Sequence, residues 1–217
     1  MKLLMLKIGA RPKGRIIEQH DVIFAIVDDF TQVIDIINQH WHEVKNKWHI
    51  DAWQEIRRVG DYKIQLVKHS VQNGDVVSQS LIPSFPKTSQ QTLPENRLFF
   101  INLGGYLPDV FEEFHYKTLI VAPTMAHATA QAKTLDFYKT YDLTAIDTLT
   151  GINGVSHVDD KLGVDVDDIH CVNDLIQDYS LNITALTEAE KIAIPHDERH
   201  IGYLSIKKIK NFFAESF

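Results

Sequence analysis

A single cysteine, Cys171, occurs in 217 residues. That excludes an intramolecular disulfide framework and a thiolate metal cluster. Placed between Ile169 and Val172, it reads as a small core residue rather than a reactive thiol. Long apolar runs are missing as well. None approaches the roughly 18 residues that cross a bilayer, so no membrane span is expected. The run at residues 3–6 is too short for the core of a signal peptide, and a cytoplasmic location is expected. Positive charge is not in excess: 22 Lys+Arg against 29 Asp+Glu leave a net charge of −7, which argues against general nucleic-acid binding. The deficit is uneven. Residues 1–68 carry 11 basic and 9 acidic side chains, whereas residues 97–217 carry 10 and 18. Catalytic signatures are missing too. There is no Gly-x-x-x-x-Gly-Lys-Ser/Thr, no Gly-x-Gly-x-x-Gly, no Gly-x-Ser-x-Gly elbow and no His-Glu-x-x-His helix, so the usual phosphate-loop, dinucleotide, hydrolase and zinc-protease templates do not apply.

What the chain does contain is a repeat. Leu3-Leu4-Met5-Leu6-Lys7-Ile8-Gly9, then Glu18-Gln19-His20, returns as Leu98-Phe99-Phe100-Ile101-Asn102-Leu103-Gly104, then Glu113-Phe114-His115, at a constant offset of 95 residues. Further on, His49-Ile50-Asp51 matches His157-Val158-Asp159 at an offset of 108, and Asp61-Tyr62 matches Asp178-Tyr179 at 117. Preserved order with a growing offset is what loop insertion into a duplicated unit produces.

Each copy opens with a short apolar run ending in glycine, read as a buried strand over residues 2–8 and 97–103. A second run rich in β-branched and aromatic residues follows at 22–27 and 118–122. Asp29 and Thr124, also 95 apart, are good helix N-caps. Behind Asp29, the residues Phe30, Val33, Ile34, Ile37 and Trp41 share one helical face; behind Thr124 the face is Met125, Ala128 and Ala132. Residues 52–59 and 62–67 flank Gly60-Asp61 as a hairpin, and in the second copy residues 161–171 read as an acidic loop. The expected fold is α+β: two tandem pseudo-symmetric units, each a small, mostly antiparallel sheet (strand–strand–helix–strand–strand) with one helix packed on it. The units span 1–67 and 97–184, joined by a connector rich in Ser, Gln and Thr at 68–96. An extension at 185–217 adds a short strand and an amphipathic helix through Ile206, Ile209, Phe212 and Phe213. With 44% apolar residues, two units this small should pack on each other by pseudo-twofold symmetry.

The segments Gly9-x-Arg11…Glu18-x-His20-Asp21-Val22-x-Phe24 and Leu103-Gly104-Gly105-Tyr106…Glu113-x-His115 resemble the bacterial proteins grouped as domain-of-unknown-function family 1543. Chains of that family also look duplicated. The resemblance implies the two-unit architecture and points to the same residues as sites; it implies no activity. Copy one departs from the pattern, with Ala10 in place of the second glycine.

The Glu18/His20 and Glu113/His115 pairs are the titratable pairs repeated at one place in both units. Residues i and i+2 of a strand face the same way, so each pair can converge on one ligand. Imidazole with carboxylate suits a divalent metal or acid–base chemistry near neutral pH. A metal needs more donors than two, and His49, Asp51, His157 and Asp159 are the further candidates. In the ordinary structural alternative the His caps a loop carbonyl and the Glu binds backbone amides of the turn. Asp165 and Asp167 belong to a stretch of five carboxylates around Gly163 that suits a hard cation, although its spacing is not that of an EF-hand. Arg11, Lys13 and Arg15 surround Pro12 and Gly14 in a loop able to hold an anion. Two functions follow as expectations. The first is a non-catalytic binding or regulatory protein with duplicated surfaces, taking a protein or a small anionic ligand. The second is a metal-dependent or acid–base enzyme using the Glu-x-His pairs. The cofactor is left open.

Overall fold

The computed structural model describes residues 1–68, 95–106, 111–137, 165–176 and 178–214. The first unit runs β1 (Lys2–Ala10), β2 (Gln19–Val27), α1 (Val33–His40), β3 (Trp48–Glu55), β4 (Arg58–Val59) and β5 (Tyr62–Lys68). The second runs β6 (Arg97–Tyr106), β7 (Glu113–Ala122), α2 (Met125–Ala132), β8 (Asp165–Cys171), α3 (Val172–Leu175) and β9 (Tyr179–Ala185). The chain continues through α4 (Glu188–Ala193), β10 (His200–Ser205) and α5 (Ile206–Ala214).

In each unit the first strand is central. β1 lies between β2 and β3, and β6 lies between β7 and β8, with every pairing antiparallel. Strand alternation then sorts the side chains into two faces. Leu4, Leu6 and Ile8 face α1 and α5, packing with Val33, Ile37 and Ile209. Phe99, Ile101 and Leu103 face α2, whose Ala128 and Ala132 let the helix lie close. The opposite faces meet each other: Leu3 of β1 and Leu98 and Phe100 of β6 share one core, joined by Met5 and Phe24. Phe24 meets Phe100 edge to face at 5.8 Å. The result is a helix–sheet–sheet–helix stack, an α+β fold of two pseudo-symmetric units.

A third small sheet, β4-β5-β9, stitches the units together. β5 and β9 pair antiparallel, with Tyr62 opposite Ala185 and Lys68 opposite Tyr179, so that Gln65 stands opposite Asn182. Those two residues are 117 apart, the offset that relates Tyr62 to Tyr179. A residue that pairs with its own counterpart marks a local twofold axis.

The helix starts follow their caps. Asp29 accepts from Thr31 N at 2.8 Å and Gln32 Oε1 returns to Asp29 N at 3.2 Å, starting a 3-10 turn that leads into α1. Thr124 Oγ1 accepts from His127 N at 3.3 Å at the start of α2.

Several expectations change. Residues 165–171 form β8 rather than an acidic loop, because the extra residue at Asp167 brings Val166 onto the same face as Ile169 and Cys171, which pack on α2's core. Residues 52–59 are not one strand: β3 begins at Trp48 and ends at Glu55, and β4 belongs to the stitching sheet. Met125 leaves the predicted helix face and is exposed. The C-terminal extension is not peripheral, since β10 pairs with β3 and Ile209 of α5 is fully buried in the first unit's core. Lys207, Lys208 and Lys210 are solvated. Asp197, between α4 and β10, accepts from the backbone amides of Arg57 and Arg58 at 2.8 and 2.9 Å. No helix among the described residues is long and apolar enough to cross a membrane.

Candidate metal centres in an inter-sheet cleft

Gly9 pairs with His20 of β2 on one side and with His49 of β3 on the other, so two imidazoles flank a position without a side chain. The β1–β3 register slips at this point: Ile8 pairs with Ile50 but Lys7 pairs with Ala52, leaving Asp51 as the extra residue of a bulge. Bulges re-aim side chains in this way beside functional sites. Asp51 thereby joins the imidazoles, with Oδ2 3.1 Å from His20 Nε2 and Oδ1 3.0 Å from His49 Nε2. Glu18, just before β2, completes a ring, 3.5 Å from His20 Nε2 and 3.6 Å from His49 Nε2. A Cβ on Gly9 would stand 2.7 Å from His49 Nε2. Only glycine leaves room for this arrangement.

The second unit repeats the construction. Gly104 pairs with His115 of β7 and with Asp165 of β8. The bulge recurs between Leu103, paired with Val166, and Asn102, paired with Asp168, so Asp167 is the extra residue. His115 Nε2 lies 3.2 Å from Asp167 Oδ2 and 3.7 Å from Glu113 Oε2. A Cβ on Gly104 would come within 2.5 Å of oxygens of both Asp167 and Glu113.

The donor sets fit a divalent ion. Two ligands about 2.1 Å from one tetrahedral centre lie about 3.4 Å apart, and these imidazole–carboxylate spacings run from 3.0 to 3.7 Å. Donor atoms of Glu113, His115 and Asp167 all fall within 4.8 Å of one another. In the first unit, Asp51 Oδ2 is buried without a hydrogen-bond partner, although His20 Nε2 is 3.1 Å away. Close spacing without hydrogen-bond geometry is what donors aimed at a common third atom would show.

Both clusters reach one cleft of about 860 Å³ between the sheets, lined by His20, Glu113 and His115 together with Lys7, Asn102 and Lys117. A second space of about 390 Å³ adjoins it and shares Lys7, Val22 and Lys117. Burial lowers the pKa of Lys117, and the neighbouring charge of Lys7 lowers it further, against the pull of Asp167 and Asp168. Lys7 Nζ stands 3.9 Å from Asp51 Oδ2. Asn102, only 9% exposed, donates through Nδ2 to Asp167 Oδ2 at 3.4 Å and Asp168 Oδ2 at 3.3 Å. Its Oδ1 is buried without a partner, a loss worth about 1–3 kcal/mol.

His157 and Asp159 lie outside the described residues. The registers make Asp165-Val166-Asp167, 116 residues on, the counterpart of His49-Ile50-Asp51, which corrects the match at an offset of 108. Arg11, Lys13 and Arg15 are exposed in the β1–β2 loop, away from the cleft lining. Asp168 was one of the five carboxylates around Gly163, whereas Lys7, Asn102 and Lys117 were not singled out by sequence. Their one signal was position: Lys7 and Asn102 stand two residues before the paired glycines, and Lys117 two after His115.

Residues 15–66 match the family model of the Domain of Unknown Function (DUF1543). The chain resembles that family. The matched stretch lies in the first unit and includes Glu18, His20, His49 and Asp51. No curated protein matches the chain. The fold is similar to that of the crystal structure of a protein Il1583 from Idiomarina loihiensis, at 18% identity, over 94% of this chain and 97% of that one, with a TM-score of 0.55. At that identity the likeness concerns the fold alone.

Proposed function

We propose that this protein binds divalent cations at its two acid–imidazole clusters and uses them to hold a small molecule in the cleft between the sheets. The observation that carries the reading is the convergence of Glu113, His115 and Asp167 donors within 4.8 Å over a glycine floor. The recurrence of the same floor and bulge around Gly9 supports it. Repeated construction at an offset of 95 also supports reading the chain as an internal duplication, in a bacterial, cytoplasmic protein. Binding is the primary role. A metal-dependent enzyme is the second reading, favoured by a cleft of about 860 Å³ that is large enough for a small substrate.

Metal analysis of protein purified without a histidine tag tests the proposal. Stoichiometric zinc, manganese or iron is expected, reduced in His20→Ala and in His115→Ala and lost in the double variant. Protein that stays metal-free after incubation with zinc and manganese, and whose melting temperature neither ion raises, would sink it.

A further inference from the structure

We infer that the smaller space beside the cleft is a separate ligand site, which takes an N-acylated apolar amino acid and needs no metal. Strand register lays out its floor. On the face of the first sheet turned to the other unit, Gln54 of β3 lies opposite Met5 of β1. In the next row Ala52 lies between Lys7 of β1 and Ile201 of β10. His200 opposes Trp53, so Arg199, just before β10, takes the place beside Gln54. Leu119 of β7 faces this floor from the second unit, and together these residues line about 390 Å³. None of them is a donor of either metal cluster.

Gln54 is nine-tenths buried and lines this space, and its amide has no hydrogen-bond partner among the described residues. Of those residues only Asp51 Oδ2 and Asn102 Oδ1 are both enclosed and unpaired, so the Gln54 amide stays open to the space. It accepts through Oε1 and donates through Nε2, and an amide on a ligand answers both. The charges nearby are mostly paired. Lys7 stands by Asp51 and Lys117 by Asp167 and Asp168. Arg58 donates to the carbonyls of Gly60, Lys191 and Ile194. Asp197, the carboxylate of this lining, is held by the Arg57 and Arg58 amides, and Glu198 lies by His200. Arg199 is exposed and makes no ion pair among the described residues, so a ligand carboxylate can pair with it without displacing another group. The remaining wall is apolar: Met5, Val22, Leu119 and Ile201. Ile201 is 83% exposed there, area that a branched side chain would cover. Amide, carboxylate and apolar side chain within a few bonds of one another describe an N-acylated amino acid.

N-acetyl-leucine carries all three groups and is the probe. N-acetyl-leucinamide lacks the carboxylate, isocaproate the amide and N-acetyl-glycine the branched side chain. In calorimetric titrations of the full chain, N-acetyl-leucine should bind about fivefold more tightly than N-acetyl-leucinamide, the effect of one exposed ion pair. It should bind about tenfold more tightly than isocaproate or N-acetyl-glycine, the effect of one hydrogen bond at a buried amide or one covered side chain. Arg199→Met should erase the first preference, and Gln54→Leu the preference over isocaproate. Titration after chelation of bound metal should give the same affinity. Equal binding of N-acetyl-leucine and N-acetyl-leucinamide by the wild type overturns the inference, as does an unchanged preference in Arg199→Met. Both results stand even if Gln54→Leu fails to fold. Loss of binding on chelation assigns the acid to the metal clusters and overturns the inference while the metal reading survives. Binding by protein that proves to hold no metal supports the inference although the metal reading falls. If N-acetyl-leucine does not bind at all, the inference is wrong.

Discussion

The two clusters share a backbone and differ in their donors. Each has a glycine floor, an imidazole on one neighbouring strand, and an aspartate pushed out by a bulge on the other. Around that common frame the first unit places His49, Lys7, Val22 and Ala52 where the second has Asp165, Asn102, Lys117 and Asp168. The first is thus nitrogen-rich, two imidazoles and two carboxylates, with a lysine 3.9 Å from Asp51. In the second, one imidazole is set among carboxylates. Among the described residues, only this second cluster brings three donors within 4.8 Å of one another. Nitrogen-rich sets suit zinc, and oxygen-rich sets suit manganese or magnesium. The backbone geometry is common to both clusters, and the donor atoms set on it differ.

The glycine floors offer the sharpest way to break the comparison. In Gly104→Ala the new Cβ would meet the ends of two carboxylate side chains, which can swing away without moving the backbone. The fold should survive and the donors should scatter, lowering manganese affinity by about 10- to 100-fold. Gly9→Ala meets the rim of the His49 ring and should act on the first cluster alone. Isothermal titration of both variants checks this; equal losses at both clusters, or a large fall in melting temperature, would break the separation.

His49 has a support from the helix of its own unit. Asn38, buried on α1, accepts from Asn46 N at 2.8 Å and from Trp48 Nε1 at 2.9 Å, and donates to Asn46 Oδ1 at 3.0 Å. Asn46 itself has φ 60°, so this network holds a strained turn immediately before His49. Asn38→Ala would strand buried donors and should cost about 2 kcal/mol in urea unfolding. It should also weaken metal binding in the first unit and leave the second unchanged.

Donor identity can be exchanged directly. Asp165 holds on β8 the place of His49 on β3, so Asp165→His should move the second unit toward zinc. Competition between zinc and manganese should shift by about tenfold. An unchanged ratio would mean that this position does not reach the ion.

Much of this frame was legible before the fold was known. The constant offset carried the strands, the caps and the Glu-x-His pairs, because residues fixed by strand pairing cannot drift without moving a whole face. His49 and Asp51 were found on chemistry, and their counterparts were misassigned at His157 and Asp159. The reason is physical: the equivalence is set by pairing to Leu103 and Gly104, and two aspartates replace a His–Asp pair there, so residue identity pointed to the wrong segment. The bulge was not legible, since nothing local in Ile50-Asp51-Ala52 distinguishes an extra residue from an ordinary alternation. Nor was the cleft, which exists only once the two units face each other. Lys7, Asn102 and Lys117 read along the chain as unremarkable polar positions in apolar strands.

The smallest expected effect lies on the axis itself. Gln65 and Asn182 face each other there through an exposed hydrogen bond of 3.4 Å. It looks like the clasp of the two units, but both side chains are solvated, and the same bonds are available from water. The neighbouring pairs tell a different story: Ile64 opposite Ile183 and Leu66 opposite Leu181 bring Ile64 and Leu181 into the shared core. Burial, not the polar clasp, should therefore join the units. Asn182→Ala should change stability by no more than about 0.5 kcal/mol, whereas Leu181→Ala should cost about 2–5 kcal/mol. Urea unfolding of both variants measures the contrast, and a loss above about 1 kcal/mol for Asn182→Ala would return the axis pair to the centre of the assembly.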